Sequence, residues 1–147
     1  MRLRKIMAGA MAIMLLETGA QAACDVSATG VDFGVYDQQS NSPTDGAGSV
    51  TVQCSSTEQS VFVEMSTGQS GNYSERQMSS GGETMRYNLY TTASRTSIWG
   101  DNSVGNSRVT LSKVRRPETI PVYGRIPAGQ NLSAGAYNDS IFVTIIY

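Results

Sequence analysis

Two cysteines are the residues of this chain whose chemistry is easiest to predict. Cys24 and Cys54 are its only cysteines, the sequence contains no histidine, and their spacing is far from the Cys-x-x-Cys pattern of many metal and redox sites. An even number of cysteines in an exported protein most simply forms disulfides. We therefore predict one disulfide, between Cys24 and Cys54, and no metal at these residues.

The chain offers few other groups for catalysis. Without histidine it lacks the imidazole base of the usual serine and cysteine triads. Its carboxylates are few and scattered, and a glycosidase would need two of them facing each other across a cleft, an arrangement that depends on the fold. The oxygen-rich segment DNSVGN at residues 101–106 lacks the distal glutamate of a calcium loop and predicts a turn. We predict a protein that is not an enzyme and that binds no cofactor.

Aromatic side chains could form a platform for a sugar or another surface. The candidates for such surface aromatics are Trp99, Tyr73 and Tyr90. Trp99, which stands between Ile98 and a Gly-Asp turn, is also typical of a residue that closes the core of a sandwich. The second interpretation is favoured for Trp99.

The first 22 residues predict an export signal peptide. Arg2, Arg4 and Lys5 precede an apolar run at residues 6–16 that is too short to span a bilayer, and Ala20-Gln21-Ala22 supplies a cleavage site. Because residues 1–22 carry three basic and one acidic side chain, the predicted mature chain of 125 residues has a formal charge of −3 rather than −1. This charge argues against binding to nucleic acid, and no second segment is apolar and long enough for membrane insertion.

Short alternating runs indicate an all-β mature chain, at residues 23–147. Apolar residues alternate at residues 31–35, 50–54, 61–65, 85–89 and 109–111, and the intervals are rich in Gly, Ser, Asn, Asp and Thr. About seven such strands predict an immunoglobulin-like antiparallel sandwich. Tyr137, just before the last strand, resembles a tyrosine corner, whose hydroxyl bonds back to main chain. Residues 66–84 are poor in apolar side chains and predict either a loop or a loosely paired hairpin.

The last 29 residues predict two strands of one sheet. Ile120, Val122 and Ile126 alternate in the first of them, and the second is the most hydrophobic segment of the mature chain. The second strand has apolar residues on both faces, so we expect it to be central and to need a neighbour on each edge. No residues after Tyr147 supply that neighbour. The sandwich is therefore expected to be incomplete, with its final strand missing.

Several motifs resemble the spore coat protein U domain family, which includes the pilins of archaic chaperone-usher pili. The motifs are CDVSATGVDFGVYD at residues 24–37, SVTVQC at 49–54, MRYNLYTTASRTSIWGD at 85–101, PVYGRIPAGQ at 121–130 and AGAYNDSIFVTIIY at 134–147. They cover essentially the whole mature chain in order. The resemblance implies a subunit whose groove is filled first by a strand of a periplasmic chaperone. At an outer-membrane usher, a donor strand from the neighbouring subunit then replaces it.

The resemblance also implies which residues meet the partner. β-strand addition provides main-chain pairing and pockets for alternate side chains. We expect the floor of the groove to be formed by Ile141, Val143, Ile145 and Tyr147. Phe142 and Ile146, on the opposite face, are the alternative set.

Polymerising members of the family carry a donor segment before their first cysteine, whereas Cys24 is the second residue of the predicted mature chain. The leading hypothesis is therefore a minor or tip-located pilus-type subunit that acts at the cell surface in adhesion and biofilm formation. A second hypothesis is a secreted spore-coat or matrix protein that completes its own fold, with residues 31–36 against the last strand. A third is a carbohydrate-binding adhesin module that uses Trp99 and residues 66–84.

Overall fold

The computed structural model describes residues 23–56 and 60–147. The predicted signal peptide at residues 1–22 lies outside this part of the chain, so its cleavage site stays a prediction. No helix long and apolar enough to cross a membrane occurs in the described ranges.

Eight strands account for the regular structure of these residues. In chain order they are β1 (Cys24–Asp32), β2 (Thr44–Cys54), β3 (Val61–Met65), β4 (Arg76–Ser80), β5 (Glu83–Tyr90), β6 (Val109–Leu111), β7 (Glu118–Ile126) and β8 (Val143–Ile146), with a short 3₁₀ helix at Gly68–Ser70. A five-stranded sheet has the order β1-β2-β7-β5-β4 and a three-stranded sheet the order β6-β3-β8. All pairings between these strands are antiparallel. The predicted all-β, immunoglobulin-like sandwich is confirmed.

The two C-terminal strands lie in different sheets, so the prediction that they share one is wrong. β7 pairs with β2 and β5 in the larger sheet, whereas β8 pairs with β3 in the smaller one. Residues 127–142 cross from one sheet to the other. Alternation shows which side chains face the core, but it does not show which sheet supplies the partner strand.

Residues 76–84 of the interval at 66–84 form a hairpin, whereas residues 66–75 form the 3₁₀ helix and turns, so each of the two predicted alternatives holds for part of it. β4 pairs in register with the first half of β5, from Ser80 opposite Glu83 to Arg76 opposite Tyr87. Gly81, at the turn, has a φ of 60°, a conformation that favours glycine. The low apolar content reflects an edge strand with one face towards solvent.

The core lies between the inner faces of the two sheets and includes Trp99. This indole is fully buried, so its prediction as a possible surface aromatic is wrong, and the core interpretation is correct. Its main-chain nitrogen donates to the Leu89 carbonyl in the larger sheet, and its Nε1 donates to the Val63 carbonyl in the smaller sheet at 2.9 Å. Trp99 therefore ties the two sheets together. Tyr73 and Tyr90 are half-buried, and the proposed sugar platform loses its central residue.

Candidate functional site

A groove with a volume of about 750 Å³ opens between the two sheets. One wall is the second half of β1 with the residues that follow it, and the other is β8 with the residues that precede it. The floor consists of inward-facing side chains of both sheets, which are Val50, Met65, Met78, Met85, Tyr87, Leu89, Val122 and Ile126. The floor is therefore almost entirely apolar.

One edge of β8 borders this groove. On its other edge β8 pairs with β3, from Phe62 opposite Ile146 to Met65 opposite Val143. Within the described residues no strand pairs with the groove-side edge. An edge strand of this kind presents main-chain N–H and C=O groups that are free to pair with another chain.

The predicted floor residues are placed unequally. Ile141 and Val143 line the groove, and Ile145 is half-buried against the core on the same face. Tyr147 is 55% exposed and does not line the groove. The alternative set faces solvent, with Phe142 76% exposed and Ile146 43% exposed. The geometry thus favours the first set, with its centre at Ile141 and Val143.

The first half of β1 also has an uncovered inner face. Val26 and Ala28 are paired with the fully buried Val52 and Val50 and point to the same side of the sheet. Val26 is nevertheless 40% exposed, and Ala28 lines the groove. The groove thus reaches along β1 as far as Ala28, and the apolar side chain of Val26 lies exposed beyond it.

Beyond the first half of β1, the wall is fixed by packing against glycines. The register of β1 shifts between Thr29 and Asp32, and the side chains of Val31 and Phe33 pack over the backbone of Gly46 and Gly124. A Cβ atom at Gly124 would lie 2.5 Å from Cζ of Phe33. Only glycine leaves room for the ring, which also stands edge-on to Tyr87, with 5.9 Å between the ring centroids.

Only residues 31 and 32 of the segment 31–36 belong to a strand, so the strand that the alternation predicts there is largely absent. β1 ends at Asp32, and Val35 is 92% exposed. Gly34 adopts a φ of 65°, which interrupts an extended strand. The Tyr36 hydroxyl, which accepts a hydrogen bond from the Gln130 nitrogen at 2.9 Å, fixes the end of the segment. These residues form one wall of the groove and do not pair with β8, contrary to the hypothesis of a self-completed fold.

Hydrogen bonds of Tyr137 hold part of the groove wall that precedes β8. The single hydroxyl proton of Tyr137 has two acceptors within hydrogen-bond distance, the Glu83 carboxylate at 2.7 Å and the Ser133 carbonyl at 2.9 Å. The bond to main chain four residues upstream is the one that the tyrosine corner predicts. The Tyr137 hydrogen bond, followed by those of Ser133, lowers the pKa of Glu83.

A second tyrosine supplies a polar contact at the groove floor. The Tyr87 hydroxyl donates to Oδ2 of Asp139 at 2.6 Å, and Oδ1 of Asp139 accepts from the nitrogens of Gln69 and Ser140. Burial, together with the carboxylate, raises the pKa of Tyr87, so the hydroxyl remains a donor at all physiological pH values. This network joins the residues before β8 to the floor, and no sequence pattern had marked it.

The DNSVGN segment folds as the predicted turn. Oδ1 of Asp101 accepts from the Ser103 nitrogen, and Oδ1 of Asn106 accepts from the Asn102 nitrogen. In the ranges that the structure covers, no three acidic or cysteine side chains converge as metal ligands would. The described residues thus provide an apolar groove beside a free strand edge, and β-strand addition requires both features.

Comparison with protein families finds a match to the Spore Coat Protein U domain over residues 10–144. A curated relative, Protein U of Myxococcus xanthus, is 29% identical over 109 residues, which are 69% of this chain and 60% of that protein. The chain thus spans less than two thirds of the length of this relative.

Two solved structures align with this chain to different degrees. A chain in the CsuC–CsuE chaperone-tip adhesion subunit pre-assembly complex, from archaic chaperone-usher Csu pili of Acinetobacter baumannii, aligns with a TM-score of 0.60 and 21% identity. The alignment covers 86% of this chain and 40% of that one. HdaB, the minor tip subunit of the E. coli Hda pilus, aligns with a TM-score of 0.42 and 15% identity over 82% of this chain and 79% of its own. At 21% identity, the likeness to the first of these structures concerns the fold alone.

Proposed function

The chain belongs to the Spore Coat Protein U domain family, and from this premise we propose that it is an exported structural subunit of a chaperone-usher pilus. In this proposal the groove receives an extended strand from another protein. The first donor is a periplasmic chaperone, and the later donor is a neighbouring subunit presented by an outer-membrane usher. The subunit would act outside the inner membrane, from the periplasm to the cell surface.

The free edge of β8 beside an apolar groove is the observation that carries this proposal. An added strand would pair with β8 through main-chain hydrogen bonds and insert alternate side chains between the sheets. It would also cover Val26 and Ala28, the exposed inward-facing residues of β1. One added strand would therefore both pair with the free edge of β8 and cover the exposed apolar surface of β1.

We further propose a minor or tip position, with a role in adhesion and biofilm formation. This step rests on the predicted cleavage after Ala22, which would leave a single residue before Cys24 and therefore no segment long enough to act as a donor strand. Such a subunit receives a strand but gives none.

Periplasmic co-expression tests the proposal. The full-length chain is produced with and without a chaperone of the archaic pilus type, and soluble yield and oligomeric state are compared by size-exclusion chromatography. We expect soluble protein as a one-to-one complex with the chaperone. A stable monomer that needs no chaperone would contradict the proposal and would favour a secreted coat or matrix protein that completes its own fold.

A further inference from the structure

Methionines have an uneven distribution in this chain. The sequence has seven, and four of them fall in residues 1–22. The remaining three, Met65, Met78 and Met85, all line the groove. A residue that elsewhere fills gaps throughout a core is thus confined to one surface of this domain.

Both sheets contribute to this methionine set. Met78 and Met85 are directly opposite each other on β4 and β5 of the larger sheet. Met65 is opposite Val143, at the end of β3 in the smaller sheet. All three are buried in the unfilled groove, so they belong to its packed floor rather than to its rim.

The rest of the floor is stiffer. Val50, Val122 and Ile126 are β-branched, and such side chains have few accessible rotamers. Methionine is unbranched and has three rotatable side-chain bonds, so it can change its shape to fit what lies against it. The groove therefore combines rigid positions with a flexible, thioether-lined part.

We propose that the three methionines make the groove tolerant of the side chain that a partner strand inserts among them. The inference rests on the proposed function, in which the groove holds two different strands in succession. Methionine rotamers adjust to a small or a large apolar residue, as flexible methionine-rich surfaces do at other promiscuous binding sites. The partner is an extended strand with alternating apolar residues. The one side chain of that strand that inserts among the three methionines can be small or large.

A strand-exchange experiment tests this tolerance. The complex of the full-length chain with its chaperone is mixed with synthetic strands that differ at one inserted position, which carries Ala, Val, Leu or Phe. The fraction of chain transferred from chaperone to peptide is measured by native mass spectrometry. We expect transfer constants of the natural chain to agree within about threefold across the panel, since a flexible floor repacks around each residue.

Replacing the methionines by a stiffer residue of similar volume should remove the tolerance. In M65L/M78L/M85L we expect the transfer constants of the four peptides to differ by about tenfold or more, because a branched side chain repacks less freely than methionine. Ile120→Leu is the matched control, because Ile120 is buried on β7 and does not line the groove, so the variant should keep the spread of the natural chain. If the triple variant does not accumulate, M65L and M78L are measured singly, and each should widen the spread by a smaller factor.

The outcomes separate this inference from the proposed function. If no strand displaces the chaperone from the natural chain, the groove is not an acceptor and the proposed function fails. If strands are exchanged but the leucine variants discriminate no more than the natural chain, the acceptor role stands and the methionine inference is wrong.

Discussion

The guanidinium of Arg76 donates a hydrogen bond of 2.6 Å to the carbonyl oxygen of Trp99. It also donates to the Ser66 carbonyl through Nε and Nη2 and to Oδ1 of Asn88 through Nη1. Arg76 is fully buried, and no carboxylate is among these acceptors. Its pKa is lowered, chiefly by desolvation. A buried cation on β4 is thus held by main-chain oxygens of two connecting segments and one side-chain amide.

Removing this side chain should destabilise the domain strongly. Arg76→Ala leaves buried carbonyl groups without donors and opens a cavity, so we expect a loss of about 3–5 kcal/mol in the free energy of unfolding. Urea denaturation measures it. Arg86→Ala is the matched control, because Arg86 is half-exposed and lies 3.8 Å from Glu75. The control should lose less than about 1 kcal/mol, and equal losses in the two variants would contradict the structural role of Arg76.

Alternation of side chains was sufficient to predict the fold class and most of the core. Val50, Val52, Val61 and Val63 alternate in sequence and are buried. What alternation could not provide is the pairing, because strands from either sheet have the same period. Arg76 could not be recognised either, since its partners are main-chain oxygens distant in sequence.

The candidate site could be predicted from the sequence only in part. Ile141 and Val143 follow from the period of the last strand. The opposite wall depends on a register shift in β1 and on glycines of two other strands, Gly46 and Gly124, which meet Phe33 only in the folded chain. Such close approaches of backbone to side chain have no local pattern.

The glycine beneath Phe33 gives a second prediction. Gly124→Ala places a methyl group against the Phe33 ring, so we expect a loss of about 1–3 kcal/mol in unfolding free energy, as is typical of overpacking. Capture by the chaperone should weaken as well, because the displaced ring forms part of the groove wall. Gly82→Ala, in the β4–β5 turn with no atom near the new methyl group, should change stability by less than about 0.5 kcal/mol. A Gly124→Ala protein as stable as that control would refute the packing argument.

The disulfide between Cys24 and Cys54, predicted from composition and present in the structure, gives a third prediction. It closes a loop with a sequence separation of 30 residues, for which the chain-entropy model gives about 3.5 kcal/mol. The double variant Cys24→Ser/Cys54→Ser should lose about this free energy of unfolding in urea titrations. Dithiothreitol should lower the stability of the natural chain to the same level and leave the double variant unchanged. A natural chain that is equally stable with and without reductant would contradict the prediction.

A fourth prediction concerns how the free energy of unfolding changes at acid pH. Asp45 accepts hydrogen bonds from Arg125 at 2.7 and 2.9 Å and lies 3.3 Å from Arg95, and the hydrogen bond to Arg125 is the main cause of its lowered pKa. A carboxyl with a lowered folded-state pKa stabilises the protein above its unfolded pKa of about 3.9. That contribution is lost as pH falls through the folded-state pKa.

Asp45→Asn should therefore be less stable than the natural chain at pH 7 and should approach its stability in strong acid. Because Asp45 is more than one third exposed, the difference at pH 7 should be only about 0.5–1 kcal/mol. Urea titrations between pH 2 and pH 7 measure it, and 1 M NaCl should reduce it. A difference that is constant over this range would show that the ion pair is not its cause.

The last prediction decides which face of the C-terminal strand meets a partner. Val143→Asp places a carboxylate in the apolar groove, where an inserted strand would bury it without a counter-charge, at a cost of several kcal/mol. We expect complex formation with the chaperone to be lost. Phe142→Asp makes the same chemical change on the adjacent, 76% exposed residue and should leave complex formation intact. Val143→Thr keeps the shape of valine, tests polarity without a charge, and should weaken the complex to an intermediate level. Loss of the complex in Phe142→Asp, with Val143→Asp unaffected, would move the binding surface to the outer face of the smaller sheet.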